Sequence, residues 1–383
     1  MIRTDYLPFG KPNFSDQEVE AVSRVLRSGW VGMGPETIAF ENELGQAVGA
    51  PHVVSVNSCT SALFLALLAE GVGPGDEVVC PSLTWCSTAN AALYLGATPV
   101  FADIEEDTLC ATPDRLLAAV TPRTRAVVPV HFGGLAIDVA ELRRKLPPHV
   151  AIVEDAAHAL GARYRDGTPV GSSGNAVCFS FYANKNLSTG EGGAIALADT
   201  GKANRLRSLR LHALPLDAWK RFSDPRSLLL SNLIDELGYK MNYTDLNAAI
   251  GRVQLRRQPE FAAARRVVAE RYARVLCETA PDIRLQRDCT GPAHARHLFV
   301  IQLPIERLAR TRDEIVRGLR ERNVGASIHY TPLHVMPLYA DCPQGQLPVT
   351  ERVAARILTL PISASMTVGD ADYVLEQLLE VLQ

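Results

Sequence analysis

The sequence predicts an α/β protein with a mostly parallel sheet in a large domain, followed by a smaller α+β unit. Three observations carry this. Short apolar runs alternate with helical stretches through the first half of the chain, polar and glycine-rich segments follow several of those runs, and the character changes at Thr244. With 383 residues, 47% of them hydrophobic and 21% charged, the chain can bury a large core and exceeds what one domain usually holds. The expected division is a large α/β domain over 1–245 and a linking helix with a small C-terminal domain over 246–383.

A helix is expected over Asp16–Ser28. The apolar runs follow: Val53–Val56, Glu77–Cys80, Thr98–Asp103, Arg125–Val130, Val150–Glu154, Ala176–Phe181 and Gly193–Ala198. They are brief, rich in β-branched residues and without alternation, as strands buried on both faces are. Ser61–Leu68 and Ser87–Tyr94 read as helices between them, and such alternation builds a parallel sheet. Thr244 then caps a helix whose arginine-rich pattern runs to about Val275 as one long element. Beyond it, His297–Leu303 and Ser327–Tyr330 read as strands. Thr311 with Glu314 forms a capping box, and Thr367 with Asp370 opens a last helix.

The formal net charge is -3 and no basic block stands out, so a nucleic-acid partner is not expected. Eight cysteines lie scattered, with no C-x-x-C pair and no metal-ligand spacing, which suggests a reducing compartment and no bound metal. No signal-peptide h-region and no membrane-length apolar run occur, so a cytoplasmic protein with no membrane partner is expected.

Ligands of parallel sheets bind beyond the carboxyl ends of the strands. Asp155 ends such a run and must find a partner there, whether as a helix cap, in a salt bridge or on a ligand. Lys185 lies in Ser180-Phe-Tyr-Ala-Asn-Lys-Asn-Leu-Ser-Thr-Gly-Glu-Gly-Gly193, between a buried strand and a glycine-rich turn. It is either a solvated surface lysine or a desolvated one, whose depressed pKa would make it a carbonyl nucleophile. Asn57-Ser-Cys-Thr-Ser-Ala-Leu63 opens a helix, and free N–H groups at a helix start bind phosphate without net basic charge; ordinary capping by Ser58 or Thr60 is the alternative, and by itself the signal is weak. Trp85 is a core or surface-patch residue, or a ring that stacks on an aromatic heterocycle. Together the four features meet the needs of pyridoxal phosphate (PLP): a Schiff-base lysine, an acid for the pyridine nitrogen, a phosphate cup and a stacking group.

These stretches resemble the DegT/DnrJ/EryC1/StrS family of sugar aminotransferases, PLP-dependent transferases of fold type I. The resemblance covers nearly the whole chain. It rests on Ser28–Pro35, Ser58–Leu63, Pro81–Asn90, Glu154–His158, Ser180–Gly193 and Gly238–Ile250. Within the family the chain is most similar to UDP-4-amino-4-deoxy-L-arabinose (4-keto-pentose) aminotransferases. The resemblance implies that Lys185 carries the cofactor, that Asp155 pairs with the pyridinium nitrogen, and that His158 sits at the ring face or phenolate oxygen. It implies further that Trp85 stacks on the ring and that Thr60, Ser61 and Ser180 hold the phosphate. Asn242 would reach the cofactor phosphate of a neighbouring subunit, giving a homodimer with shared active sites. Trp30, Met33 and His329 would face the substrate, a nucleotide-linked keto-sugar aminated by L-glutamate.

Two departures fall near the expected substrate side: Met33 replaces a small hydroxyl residue, and His131-Phe-Gly-Gly134 replaces the commoner His-Leu-Tyr-Gly. The family's dehydratases that most resemble this chain carry histidine in place of the lysine, so Lys185 argues against dehydration. A non-catalytic PLP-binding regulatory protein is the other alternative. A nicotinamide enzyme is disfavoured because no G-x-G-x-x-G follows the first strand.

Overall fold

A computed structural model describes residues 2–214 and 234–383. Among these residues, seven strands form one sheet: β1 (His52–Val56), β2 (Glu77–Pro81), β3 (Thr98–Ala102), β4 (Thr124–Val127), β5 (Ala151–Asp155), β6 (Ala176–Ser180) and β7 (Gly193–Leu197). Their order is β1-β7-β6-β5-β4-β2-β3. All seven coincide with the expected apolar runs. The sheet is parallel from β3 to β6, while β7 runs antiparallel to both β1 and β6. The expected mostly parallel α/β architecture is the observed one.

Among the described residues, the helices of this part up to Leu209 are α1 (Asp16–Ser28), α2 (Pro35–Val48), α3 (Cys59–Ala69), α4 (Ser87–Leu93), α5 (Pro113–Ala118), α6 (Val139–Lys145) and α7 (Thr200–Leu209). α1 begins on a capping box between Ser15 and Glu18. α3 is apolar all round, with Leu63, Leu65 and Leu67 each 1% exposed or less, because it is covered by the sheet on one side and by helices on the other.

The long helix expected from Thr244 is two helices, α8 (Asp245–Arg256) and α9 (Gln258–Thr279). Pro259 is the cause. Proline has no N–H to give to an i−4 carbonyl and is tolerated only in a first turn, so the helix restarts around it. α8 packs on α1 and α2, with the large sheet. A separate apolar core gathers Val268, Tyr272, Phe299, Ile301, Leu319, Leu358 and Leu378, and takes Leu7 from the N-terminal segment. The packing therefore keeps α8 with the first unit, whereas the expected division at 245/246 assigns it to the second.

The second unit holds an antiparallel sheet of β8 (Arg284–Leu285), β9 (Phe299–Gln302) and β10 (Ile357–Leu360), in the order β10-β9-β8. It also holds α10 (Arg312–Glu321), α11 (Pro348–Ala354) and α12 (Val368–Leu382). The capping boxes at Thr311 and Thr367 are both present. Ser327–Tyr330 is not the expected strand. Only Ser327 pairs, through one bridge to Thr359, and the rest turns toward the large sheet. No helix among the described residues is long and apolar enough to cross a membrane.

A cavity at the carboxyl ends of the strands

The strand ends converge on a cavity of about 480 Å³, walled by the start of α3, the turn before α4, the end of β5, the loop after β6 and the segment at His329 and Tyr330. Asp155 stands there because β5 ends on it. Its Oδ2 accepts a hydrogen bond from the Thr88 hydroxyl at 2.7 Å, and its Oδ1 accepts one from the Ala157 N–H at 3.1 Å. It caps no helix. The remaining lone pairs of the carboxylate are open to the cavity.

Lys185 reaches the same cavity from the loop between β6 and β7. Burial pushes its pKa down to about 8, against the opposing influence of Cys59 and Asp155. Its Nζ lies 3.3 Å from His297 Nε2. His158 accepts a hydrogen bond from the Gly133 N–H on Nδ1 at 3.3 Å, so its own proton is on Nε2, which donates to the Tyr330 hydroxyl at 3.1 Å. Burial, then the Lys185 charge, holds His158 well below the ordinary histidine range, so it is neutral. His329 also lines the wall, bonded through Nδ1 to Thr359 Oγ1 at 2.9 Å, and burial pushes it down to about 3.

The start of α3 forms another wall. Ser58 caps the helix by accepting from the Ser61 N–H at 3.1 Å. The hydroxyls of Thr60 and Ser87 lie 2.8 Å apart, and Ser180 lines the same cavity. Gly193 closes against this turn so tightly that a Cβ would sit 2.5 Å from the Ser58 carbonyl carbon. That leaves the helix start uncovered by any side chain from β7. Trp85 lies at the mouth, 59% exposed, with its ring 5.7 Å from the Tyr330 ring.

Thr60, Trp85, Asp155, His158, Ser180, Lys185 and His329 are thus brought together; four other expected residues are not on this wall. Ser61 lies a helical step from Thr60 and turns inward, giving its hydroxyl to Asn57 Oδ1 at 2.7 Å. Met33 is 4% exposed, and its carbonyl accepts from Trp30 Nε1 at 3.1 Å. Asn242 bridges to Val56 and donates to the Tyr243 carbonyl at 3.1 Å. Thr88, Tyr182, Asn184, His297 and Tyr330 were not expected. Asn184 Oδ1 is buried without a hydrogen-bond partner among the described residues.

The donor set fits PLP: a helix start with free N–H groups and three hydroxyls for a phosphate, a carboxylate with open lone pairs for a pyridinium, and an amine of lowered pKa. Among the described residues no group of His, Cys, Asp or Glu could hold a metal ion.

The model of the DegT/DnrJ/EryC1/StrS aminotransferase family matches residues 12–379. The spore coat polysaccharide biosynthesis protein SpsC of Bacillus subtilis is 42% identical, the match spanning 100% of this chain and 98% of that protein. Among solved structures, the aminotransferase TlmJ from Streptoalloteichus hindustanus superposes with a TM-score of 0.88 at 34% identity, covering 100% of this chain and 99% of its own. The PMP-form of the putative sugar aminotransferase Spr1654 from Streptococcus pneumoniae does so at 0.88 and 29% identity, covering 98% of each chain.

Proposed function

Since the chain belongs to the DegT/DnrJ/EryC1/StrS aminotransferase family and is a PLP-dependent sugar aminotransferase, we propose its substrates: L-glutamate as donor and the C4 ketone of a nucleotide-linked sugar as acceptor. The observation that carries the site assignment is that Lys185, Asp155 and the hydroxyl-lined start of α3 share one cavity.

When bound, PLP supplies a carbonyl carbon that exchanges amines and a ring that takes up electrons. Lys185 is the residue that bonds it. A pKa of about 8 leaves a usable fraction of neutral amine near neutrality, able to add to a carbonyl and to take or give a proton at Nζ. Asp155, held by Thr88 and the Ala157 N–H, keeps a pyridinium proton in place. Thr60, Ser87, Ser180 and the first N–H groups of α3 hold the phosphate. The neutral His158 is an orienting group rather than a base, and Trp85 covers the ring.

A saccharide acceptor is supported by the name of the Bacillus relative, a polysaccharide biosynthesis protein, and by that of the Streptococcus structure, a sugar aminotransferase. Within that class a 4-keto-pentose comes first and a 4-keto-6-deoxyhexose next, on the motifs at Gly238–Ile250 and Glu154–His158. Met33 does not line the cavity, so pocket size lends the pentose no support from that side chain. One methyl discriminates by only about 10- to 200-fold. The test is amination by glutamate of matched UDP- and dTDP-linked 4-keto sugars, with and without C6. Preference for a 3-keto sugar or a free cyclitol ketone overturns the acceptor and leaves the PLP chemistry standing.

We further propose a cytoplasmic homodimer with shared sites, Asn242 serving the neighbouring subunit's cofactor. The eight cysteines are all free, in keeping with a reducing compartment. Mixing Lys185→Ala with Asn242→Ala protein should create one intact site per heterodimer and restore activity. No recovery on mixing removes the shared site.

A further inference from the structure

Lys185 has a neighbour that none of the sequence motifs accounts for. His297, 4% exposed, brings Nε2 to 3.3 Å from Lys185 Nζ. Burial, then the Lys185 charge, holds His297 well below the ordinary histidine range, so its ring is neutral at pH 7. An ammonium has three protons to donate and no lone pair to offer. The charged lysine therefore donates to Nε2, and His297 carries its own proton on Nδ1.

The position of His297 is fixed from two sides. Its backbone N–H donates to the Gly133 carbonyl at 3.0 Å, and the Gly133 N–H in turn holds His158. The rings of His158 and His297 lie 4.5 Å apart, tilted by 36°. Gly133 has φ 69°, and a Cβ there would sit 2.5 Å from Gln286 Oε1, so any other residue strains the turn. The lysine's acceptor is thus tied through its backbone to the same turn that holds His158.

We propose that His297 is a positioning residue for Lys185: its Nε2 receives the amine whenever that amine is free of cofactor, and holds it at the cavity wall. The inference rests on Lys185 being the cofactor lysine. A freed lysine has four rotatable bonds, and proton transfer at Nζ requires that it stay in reach. A neutral imidazole that resists protonation fixes the ammonium without taking its proton. The other groups facing Lys185 are Cys59 on α3 and Asp155 on β5, which favour the charged amine, and the neutral His158 and His329. Arg265 on α9 adds its charge to those that keep His297 neutral.

The test uses the enzyme loaded with pyridoxamine phosphate, in which Lys185 is free. Acetylation of Lys185 by acetic anhydride, followed against pH by mass spectrometry, reads the midpoint of its titration. His297→Phe keeps a ring against His158 and removes the acceptor, so the midpoint falls by about one pH unit. His297→Gln retains an acceptor and leaves the midpoint near that of the wild type. An unmoved midpoint in folded His297→Phe overturns the proposal. Should that variant not fold, His297→Ala shows the same fall, reversed by added imidazole; no response to imidazole overturns it too. Failure of the underlying assignment shows separately: Lys185→Ala that still develops the wild-type visible band with PLP removes Lys185 as the cofactor lysine.

Discussion

Glu154 and Asp155 are consecutive residues of β5, and consecutive side chains of a strand leave it on opposite faces. Glu154 is fully buried and has four partners. Its Oε2 accepts from His131 Nε2 at 2.9 Å and the Tyr164 hydroxyl at 2.6 Å; its Oε1 accepts from the Ser173 hydroxyl at 2.5 Å and Asn175 Nδ2 at 2.8 Å. His131 Nδ1 accepts from the Ile137 N–H at 3.0 Å, which fixes the donating proton on Nε2. Burial by itself would raise the pKa of Glu154, but the bonds from His131, Ser173 and Tyr164 outweigh it and keep the carboxylate ionised. Asp155 has two partners and an open side facing the cavity. One acid has every lone pair used and serves the fold; its neighbour is held only enough to be aimed.

The contrast is sharpest under the isosteric amide. Asp155→Asn should lower kcat/KM on the order of 10³-fold, because a neutral amide cannot hold a pyridinium proton, while thermal stability stays close to that of the wild type. Glu154→Gln should do the reverse. It turns an NH2 toward groups that are all donors and costs about 2 kcal/mol in a denaturant melt, with turnover per folded molecule preserved. Full activity in Asp155→Asn would reduce Asp155 to the turn-capping role that its bond to Ala157 also fits.

Thr88 tests the aiming itself. It is fully buried and gives its proton to Asp155 while its oxygen lies 3.0 Å from the Thr84 hydroxyl. Thr88→Val keeps the shape and removes the donor, and a hydrogen bond to a charged group is worth about 1.5–3 kcal/mol. A roughly tenfold loss in kcat/KM with little change in KM for glutamate is expected. A larger rise in KM than fall in kcat would show that Thr88 serves binding instead.

Much of this was legible in the sequence because the large sheet is built of short runs buried on both faces, and their composition says so. The direction of β7 was not, since a run buried on both faces reads alike either way. The break at Pro259 carried its own signal, and only the continuous arginine-rich pattern argued against it. Asp155 and Lys185 were legible because they follow strands at the ligand-binding edge. Thr88, His297 and Tyr330 were not: their partners lie 67, 112 and 172 residues away, and no local pattern marks a side chain whose meaning depends on such contacts. Ser327–Tyr330 has strand composition, yet its last residues turn into the cavity wall, where tertiary contacts override local preference.

The smallest expected effect examines whether Glu154 is as saturated as its geometry says. Ser173→Ala removes one of four donors and leaves His131, Tyr164 and Asn175 in place. The loss should be about 1 kcal/mol at neutral pH, with no change in kcat/KM. Its pH dependence follows from the sign of the shift. Glu154 lies below the ordinary value of 4.5 in the folded chain, so the stability it contributes is present above that value and is lost as acid protonates it. Removing a donor brings its folded pKa back toward 4.5. The gap between wild type and variant should therefore be full above about pH 4.5 and narrow below it as both forms bind the proton. Guanidinium melts at pH 7 and pH 4 read this directly. A gap that widens at pH 4 would mean that Ser173 favours the protonated form of Glu154 rather than the carboxylate; the contrast with Asp155 would then be one of charge rather than of partners.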